Sequence, residues 1–546
     1  MKIKKVILSN FKSFKEKFTL QLNSGMNIIV GNNEAGKSTL LEAINLALTG
    51  LYNGRPAALE LSQYLFNQLS VKQYIDSITE GKPLPPPELF VELYFEDHVD
   101  LSFMQGDGNS EKSYSHGLLI KIELNEEYSD LYDALIAGGE VKTLPIEYYH
   151  VVWKTFARQS VMARHIPLKS AFIDSSTSRY QNGSDIYISR IIKDLLTQKE
   201  LVDIGQSHRQ MKESFMGSTS IEAINKKISS AGKISDKTIK ICVELSGKNA
   251  WESSLMTYLN DIPFHFIGKG EQSIVKTNLA LAHDKTKEAN ILLIEEPENH
   301  LSHIKLNQLI NTIKDHCQDK QIIITTHSSF VANKLGLKDL ILLTNKKTLK
   351  LTDLSPGTSS FFEKISGYDT LRLILGDKAV LVEGDSDELV VQKAYLTRHK
   401  KLPIENGIEV ISVGVSFLRF LEIAKKLTLN VCVVTDNDGD VGAIQKKYTD
   451  YVGKNEAPNI KICFDDVVDT GSLNIGTKAF NYNTLEPKIV KVNGLEAMKT
   501  ILDVTYDTVD ELHVHMKNNK TDCALKIFNS NNSINYPQYI LDAINE

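Results

Sequence analysis

The stretch Gly31-Asn32-Asn33-Glu34-Ala35-Gly36-Lys37-Ser38 constrains this chain more than any other segment of it. It matches G-x-x-x-x-G-K-[ST] and lies between a short apolar run, Met26 to Val30, and a segment with helical spacing that stops at Gly50. Strand, glycine-rich turn and helix are the context that the chemistry requires. Backbone N–H groups of the turn and the positive end of the helix cradle phosphates, Lys37 reaches the β- and γ-oxygens, and the Ser38 hydroxyl ligates Mg2+. A chance glycine-rich turn would lack both flanking elements. The expectation is an ATP site running from Gly31 through Thr39.

A second apolar run, Ile291 to Ile294, ends in Glu295-Glu296-Pro297. Four apolar residues bury a strand and push two carboxylates out at its end. Glu295 is expected in the Mg2+ shell, and Glu296 is expected to orient or deprotonate the attacking water. A buried strand with a charged exit is the plainer alternative, and the P-loop disfavours it. Gln321 to Ile324 form another strand, followed by Thr325-Thr326-His327-Ser328, which puts His327 forward as a γ-phosphate sensor.

Together these motifs resemble the ABC and SMC-type ATPases. In that group a signature motif of one subunit completes the site of another, so the resemblance implies nucleotide-linked dimerisation. Leu245-Ser246-Gly247 looks like the start of such a motif but ends a strand-like run far before Glu295. Gly268-Lys269-Gly270-Glu271-Gln272-Ser273 lies closer and precedes a helical pattern, so it is preferred. The backbone there, with Gly270, Gln272 and the Ser273 hydroxyl at a helix N-terminus, would suit a partner's γ-phosphate. A Q-loop residue is also implied, and Gln63 and Gln68 are equally placed for it.

A chain of 546 residues exceeds one hydrophobic core and implies roughly two to four domains. Its 42% hydrophobic and 24% charged residues are those of an ordinary globular protein. The net charge of −6 does not exclude a nucleic-acid partner, because acidic metal sites contribute negative charge that bound cations neutralise. Five cysteines without CxxC spacing make neither a zinc site nor a disulfide framework. No run approaches the ~20 apolar residues of a membrane helix, and the N-terminus lacks a signal-like segment. A cytoplasmic location without membrane contact is expected.

The pattern predicts an ATPase split as 1–184 and 229–345 around a polar, Lys-rich helical insertion over 185–228, which is the expected dimerisation element. A linker is predicted over 346–375, where the sequence contains KKTLK and SPGTSS. From 376 to the C-terminus the rhythm becomes strand, helix, strand, helix, which implies a small parallel α/β sheet with helices on its faces.

Within this C-terminal region a first strand, Lys378 to Val382, ends in Glu383-Gly384, and Asp387 follows Glu383 at i+4. Another, Asn430 to Val434, ends in Thr435-Asp436-Asn437-Asp438. Carboxylates at strand C-termini converge where such sheets bind ligands. A carboxylate-only set selects Mg2+ or Mn2+, and two such ions can clamp both oxygens of a phosphodiester exchange. The pattern resembles the Toprim domain. An ABC-type ATPase followed by Toprim resembles the overcoming lysogenization defect (OLD) nucleases, a family that includes the Gabija nuclease subunit and retron-associated effectors.

The resemblance implies an additional metal-ligating acid, Glu486, in Asn483-Thr484-Leu485-Glu486-Pro487, and a catalytic Lys520 in Asn519-Lys520-Thr521-Asp522. The metal set is then Glu383, Asp387, Asp436, Asp438 and Glu486, with Glu388 as the alternative to Asp387. His513-Val514-His515, in an expected strand without a third partner, reads as structural. The expected activity is ATP-regulated, metal-dependent cutting of DNA, in phage defence if the biology follows the family. DNA and a second copy of the chain are the expected partners. An operon-encoded helicase, or a retron reverse transcriptase with its nucleic acid, is a further one. A DNA-clamping scaffold with a vestigial Toprim site is the alternative.

Overall fold

A computed structural model describes residues 1–139, 141–174, 180–181, 184–185, 196–231, 240–242, 256–282, 288–316, 319–328, 331, 335, 337–364, 372–374, 376–451 and 457–545. The run Leu245-Ser246-Gly247 lies outside them, as do parts of 185–228 and of 346–375.

Two sheets build the N-terminal half. The first is antiparallel, ordered β2-β1-β4-β5-β6, where β1 is Ile3–Ser9, β2 Phe18–Gln21, β4 Leu89–Phe95, β5 Ser115–Leu124 and β6 Tyr149–Thr155. The second is ordered β7-β8-β9-β3-β10-β11. Its strands are β3 Met26–Val30, β7 Ser170–Asp174, β8 Ile291–Glu295, β9 Gln321–Thr326, β10 Leu340–Thr344 and β11 Lys347–Lys350. All pairings are parallel except β10 with β11. Near-continuous apolar strands are what a sheet covered on both faces requires. Ile28, Leu292, Ile294, Ile322 and Ile324 enter one core, and their neighbours Ile29, Leu293 and Ile323 enter another with Leu40, Leu41 and Ile44 of helix α1, Lys37–Thr49. Helix α1 ends where Gly50 turns left-handed at φ 67° and its N–H caps Leu46 O.

Between the halves of this domain the chain forms α2, Gln198–Met216, opened by a Thr197/Glu200 capping box, and α3, Thr219–Ala231. Helix α4, Lys269–Ala282, precedes β8.

The C-terminal sheet is fully parallel, ordered β13-β12-β14-β15: β12 Lys378–Val382, β13 Ile408–Ser412, β14 Asn430–Val434 and β15 Ile460–Cys463. Helix α5, Asp385–His399, follows β12, and α6, Phe417–Leu427, follows β13. Beyond β15 come α7, Leu485–Asn493, α8, Val509–Asn518, and α9, Lys520–Asn529. Phe417, Phe420, Leu421, Ala424 and Leu427 of α6 share a continuous core with Leu349, Leu351, Leu354 and Phe362, so the two domains meet through packed apolar side chains.

Two sequence expectations fail here. Much of the predicted linker is packed: β11 joins the ATPase sheet, Pro356–Lys364 is helical, and Leu349, Leu351, Leu354 and Phe362 are buried. Its Lys, Ser and Gly residues read as loop, and a core shared with α6 overrides that local signal. His513 and His515 stand on helix α8 rather than a strand. His513 is buried against Phe480 and Tyr482, while His515 Nδ1 pairs with the Tyr506 hydroxyl at 3.0 Å. Two helical residues apart, the rings face different neighbours.

Candidate functional site

The first site forms where β3 meets α1. Gly31 must lack a side chain, because a Cβ there would sit 2.1 Å from Leu343 O of the adjacent β10. Gly36 turns at φ 103°, with its missing Cβ facing the Phe14 ring. These glycines let the chain double back so that α1 begins at Lys37 and its first amides face the turn. Asn33, Glu34 and Ser38 are exposed at the mouth, Asn32 is half-buried, and Ala35 and Thr39 are buried. Lys37, 5% exposed, donates to Gly31 O at 2.8 Å and Asn32 O at 3.1 Å, and stands 3.5 Å from Glu296 Oε1.

Glu295 closes β8 in register with Thr325 of β9. The next residue, Glu296, takes φ 41°, which turns its carboxylate from the strand toward Lys37 and His327. His327 Nδ1 lies 2.6 Å from Glu296 Oε2. The sequence reading missed Glu298. Its Oε1 accepts from Thr326 Oγ1, from His327 N at 3.1 Å and from Ser328 N at 3.2 Å. Burial, then the Glu296 carboxylate beside it, pushes Glu298 up to about 7. Ligand atoms of Glu296, Glu298 and His327 all lie within 4.8 Å of one another. The clue in the sequence was a third acid two residues past the pair, where the chain turns back after Pro297.

The signature-like segment is placed differently from expectation. Helix α4 starts at Lys269, so Ser273 sits a full turn inside it, completely buried, its Oγ without a hydrogen-bond partner among the described residues. It does not present a hydroxyl at the helix start as expected; it lies on the inward face of α4 with buried Gln272, Lys276 and Thr277. Gln272 is also buried, and Nε2 donates to Phe264 O at 3.0 Å and Ile267 O at 2.7 Å. Gly270 is required for a close approach, since a Cβ would lie 2.3 Å from His300 O in the turn after β8. Gly268, Lys269 and Glu271 are exposed at the helix start. Gln63 accepts from Leu144 N, and Gln68 donates to Gln63 O and Phe66 O.

The second site lies at the C-terminal ends of β12 and β14. Glu383 leaves β12 exposed, and Asp387, in the first turn of α5, accepts from Gly384 N at 3.0 Å. Asp436 leaves β14 and accepts from Leu485 N at 3.2 Å, which ties it to the start of α7. Glu486, buried on α7, meets Lys520 Nζ of α9 at 3.1 Å. Burial, then Glu486, raises Asp387 to about 6. Burial, then Asp387, Glu486 and Glu383, raises Asp436 well above the usual carboxylate range. Burial pulls Lys520 down, but Glu486, Asp436 and Asp387 outweigh it and hold the ammonium above its ordinary value.

The fold therefore brings Glu383, Asp387, Asp436, Glu486 and Lys520 together. Glu388 points elsewhere, to Arg372 at 3.5 Å and Gln392 at 3.2 Å. Asp438, exposed at φ 47°, accepts from Asn481 Nδ2 at 3.0 Å. Between the two aspartates, buried Asn437 donates to Asp465 O and Val467 O and accepts from Gly439 N, which shapes the turn. These acids are more widely spread than the trio around Glu296.

A family model described as an AAA domain matches residues 5–324. A second, described as an overcoming lysogenization defect protein-like Toprim domain, matches residues 374–438. Among solved structures the chain is similar to an SMC head bound to the C-winged helix domain of ScpA, at 17% identity and a TM-score of 0.33, covering 65% of this chain and 99% of that one. It is also similar to the SMC head domain from Thermotoga maritima, at 16% identity and a TM-score of 0.29, over 64% and 97% of the two chains. The recombination mediator RecF matches at 14% identity and a TM-score of 0.31, over 64% and 98%. The curated proteins include no match. Among the described residues no helix is long and apolar enough to cross a membrane.

Proposed function

The chain belongs to the AAA-domain family and carries an OLD-like Toprim domain behind it, and from that premise we propose that it is an ATP-regulated, divalent-metal-dependent DNA endonuclease. The observation that carries this reading is the set of acids, half-buried Asp387 and Asp436 with buried Glu486, facing Lys520.

Buried carboxylates that repel one another suit a hard divalent cation, because bound positive charge removes the penalty that raises them. Glu383, Asp387, Asp436 and Glu486 would hold it, with Asp438 at the rim. Mg2+ or Mn2+ bound there would supply Lewis-acid polarisation of the phosphate and an activated water. Lys520, half-exposed and tethered to Glu486, would meet the charge that develops on the scissile phosphate. In the other domain, Gly31 to Thr39 would seat the triphosphate of ATP, with Ser38 and Glu295 toward its magnesium. Lys37, now resting on the Gly31 and Asn32 carbonyls, would transfer those hydrogen bonds to phosphate oxygens. Glu296, held by His327, would orient the attacking water.

DNA as substrate, pairing of two copies through the exposed start of α4 and the α2–α3 segment, and a role in phage defence complete the reading. The test is supercoiled plasmid incubated with the purified chain and Mg2+ or Mn2+, with and without ATP. Wild type is expected to nick or linearise it, and Glu383→Ala to lose at least about 100-fold in rate while still binding ATP. Cleavage by Glu383→Ala at the wild-type rate would overturn the assignment and favour a DNA-clamping scaffold.

A further inference from the structure

The turn between β10 and β11 touches the P-loop of one domain and the end of α6 in the other. Thr344 pairs with Lys347, so the hairpin closes through two residues, Asn345 and Lys346, both left-handed at φ 48° and 55°. Such a turn fits the twist of the strands and is stiff. Because β10 lies parallel beside β3, its hairpin emerges level with the P-loop that follows β3. Lys346 Nζ donates to Ala35 O at 2.9 Å and Glu34 O at 3.2 Å, and it stands 4.5 Å above the Phe14 ring. It holds the outer side of the turn whose amides face the phosphates.

The residues on either side of Lys346 reach the other way. Lys347 Nζ donates to Thr428 Oγ1 at 2.8 Å, and Asn345 Nδ2 approaches Thr428 O at 3.5 Å. Thr428 is the left-handed cap that ends α6. At the opposite end of α6, the loop from β13 binds the backbone of the acid strand. Val413 N donates to Val382 O at 2.9 Å, Gly414 N donates to Glu383 O at 3.0 Å, and Ser412 Oγ reaches Glu383 O at 3.4 Å. An eleven-residue helix is about 16 Å long and stiff along its axis. It therefore spans from the P-loop brace to the backbone of Glu383.

We propose that the Asn345–Lys347 turn is a positioning element that braces the P-loop through Lys346 and couples its state, through Lys347, Thr428 and α6, to the Glu383 end of the Toprim site. The chemistry is a displacement of charge. Nucleotide phosphates draw the P-loop amides inward, the carbonyls of residues 34 and 35 move with them, and Lys346 follows. The hairpin then shifts its grip on Thr428. Coupling of this kind is reciprocal, so divalent metal at the Toprim site must alter nucleotide affinity by the same factor. This rests on the reading of the chain as an ATP-regulated nuclease.

The experiment uses the full chain, ATP, MnCl2 and supercoiled plasmid. Lys346→Ala is expected to raise KM for ATP about tenfold with kcat changed less than about twofold, and Lys346→Arg, which keeps a cationic donor, to restore it. Lys347→Ala is expected to leave kcat for ATP hydrolysis unchanged while the ratio of cleavage rates with and without ATP falls to about one; Lys347→Arg restores the ratio. An unchanged KM in Lys346→Ala overturns the brace, and a wild-type ratio in Lys347→Ala overturns the coupling. Wild type that cuts DNA identically with and without ATP also overturns the coupling and leaves the nuclease reading standing. Wild type that hydrolyses ATP and cuts nothing sinks the nuclease reading instead. Calorimetric Mn2+ titration of wild type and of Glu383→Ala, each with and without a non-hydrolysable ATP analogue, then separates the Toprim ion from the ion that the nucleotide brings, and a Toprim-site affinity that the analogue leaves unchanged overturns the coupling.

Discussion

Glu298 is the side chain whose energetics the fold alters most visibly in the ATPase site. It accepts three donors through Oε1, yet Oε2 is buried without a partner among the described residues. Its folded value, about 7, lies above the ordinary 4.5. Between those values the folded chain keeps a proton that the unfolded chain releases, so this residue's contribution to stability is present at low pH and is lost as pH rises toward 7. Glu298→Gln removes the titration, and its amide can donate to Glu296 where a carboxylate repels it. Without nucleotide, the variant is expected to be more stable than wild type by about 1–3 kcal/mol at about pH 8 and to converge with it near about pH 4.5. Calorimetric melting at both pH values measures this. A difference that does not change with pH would show that the Glu298 carboxylate carries no strain.

At the scale of an element, α7 does two jobs from two faces. Glu486 faces Lys520, and Lys488, only 2% exposed, reaches back to Asp465 and Asp469 at 2.7 Å each and to Val467 O at 2.7 Å. The loop it grips is the one that Asn437 also binds, so α7 fixes the shape of the Asp436–Asp438 turn from outside. Lys488→Met would leave two carboxylates without their shared cation. The expected cost is about 2–3 kcal/mol, below that of a fully buried pair because both acids still touch water. Urea denaturation should show it, and adding Asp465→Asn should recover some of the loss by removing the charge left without its cation, since Asp469 keeps Lys491 at 2.6 Å. Full additivity of the two substitutions would mean that the contact is not an energetic unit.

For the whole molecule, the continuous core between β11, the helix Pro356–Lys364 and α6 implies that the two domains move as packed bodies rather than as beads on a tether. A P-loop site that opens toward the exposed start of another copy's α4 would pair two such bodies. Light scattering with ATP and the slow-hydrolysing variant Glu296→Gln is expected to give twice the chain mass, and Gly268→Arg, at an exposed position where a side chain meets nothing in its own chain, to lower the pairing, with its fold checked by melting. A monomer at micromolar concentration, with and without ATP, would rule this assembly out.

The contiguous motifs were legible in the chain itself. Gly31 to Ser38, Ile291 to Glu296 and Lys378 to Gly384 each carry their chemistry in residues a few positions apart, and a strand followed by a turn and a helix is enough to aim them. The ladder of alternating strands and helices after 376 was readable for the same reason, since hydrophobic spacing is a local property. Other features depended on partners distant in sequence. Lys346 braces Ala35 from 311 residues away, and Lys347 grips Thr428 from 81. Which of Asp387 and Glu388 turned toward Asp436 depended on Arg372 and Gln392 holding Glu388. Whether Ser273 faced solvent or core, and whether the described part of 346–375 hung loose or packed, depended on which neighbouring surfaces met. Hydrophobic burial sums over the whole molecule and can override a polar local pattern, so only the assembled fold could decide them.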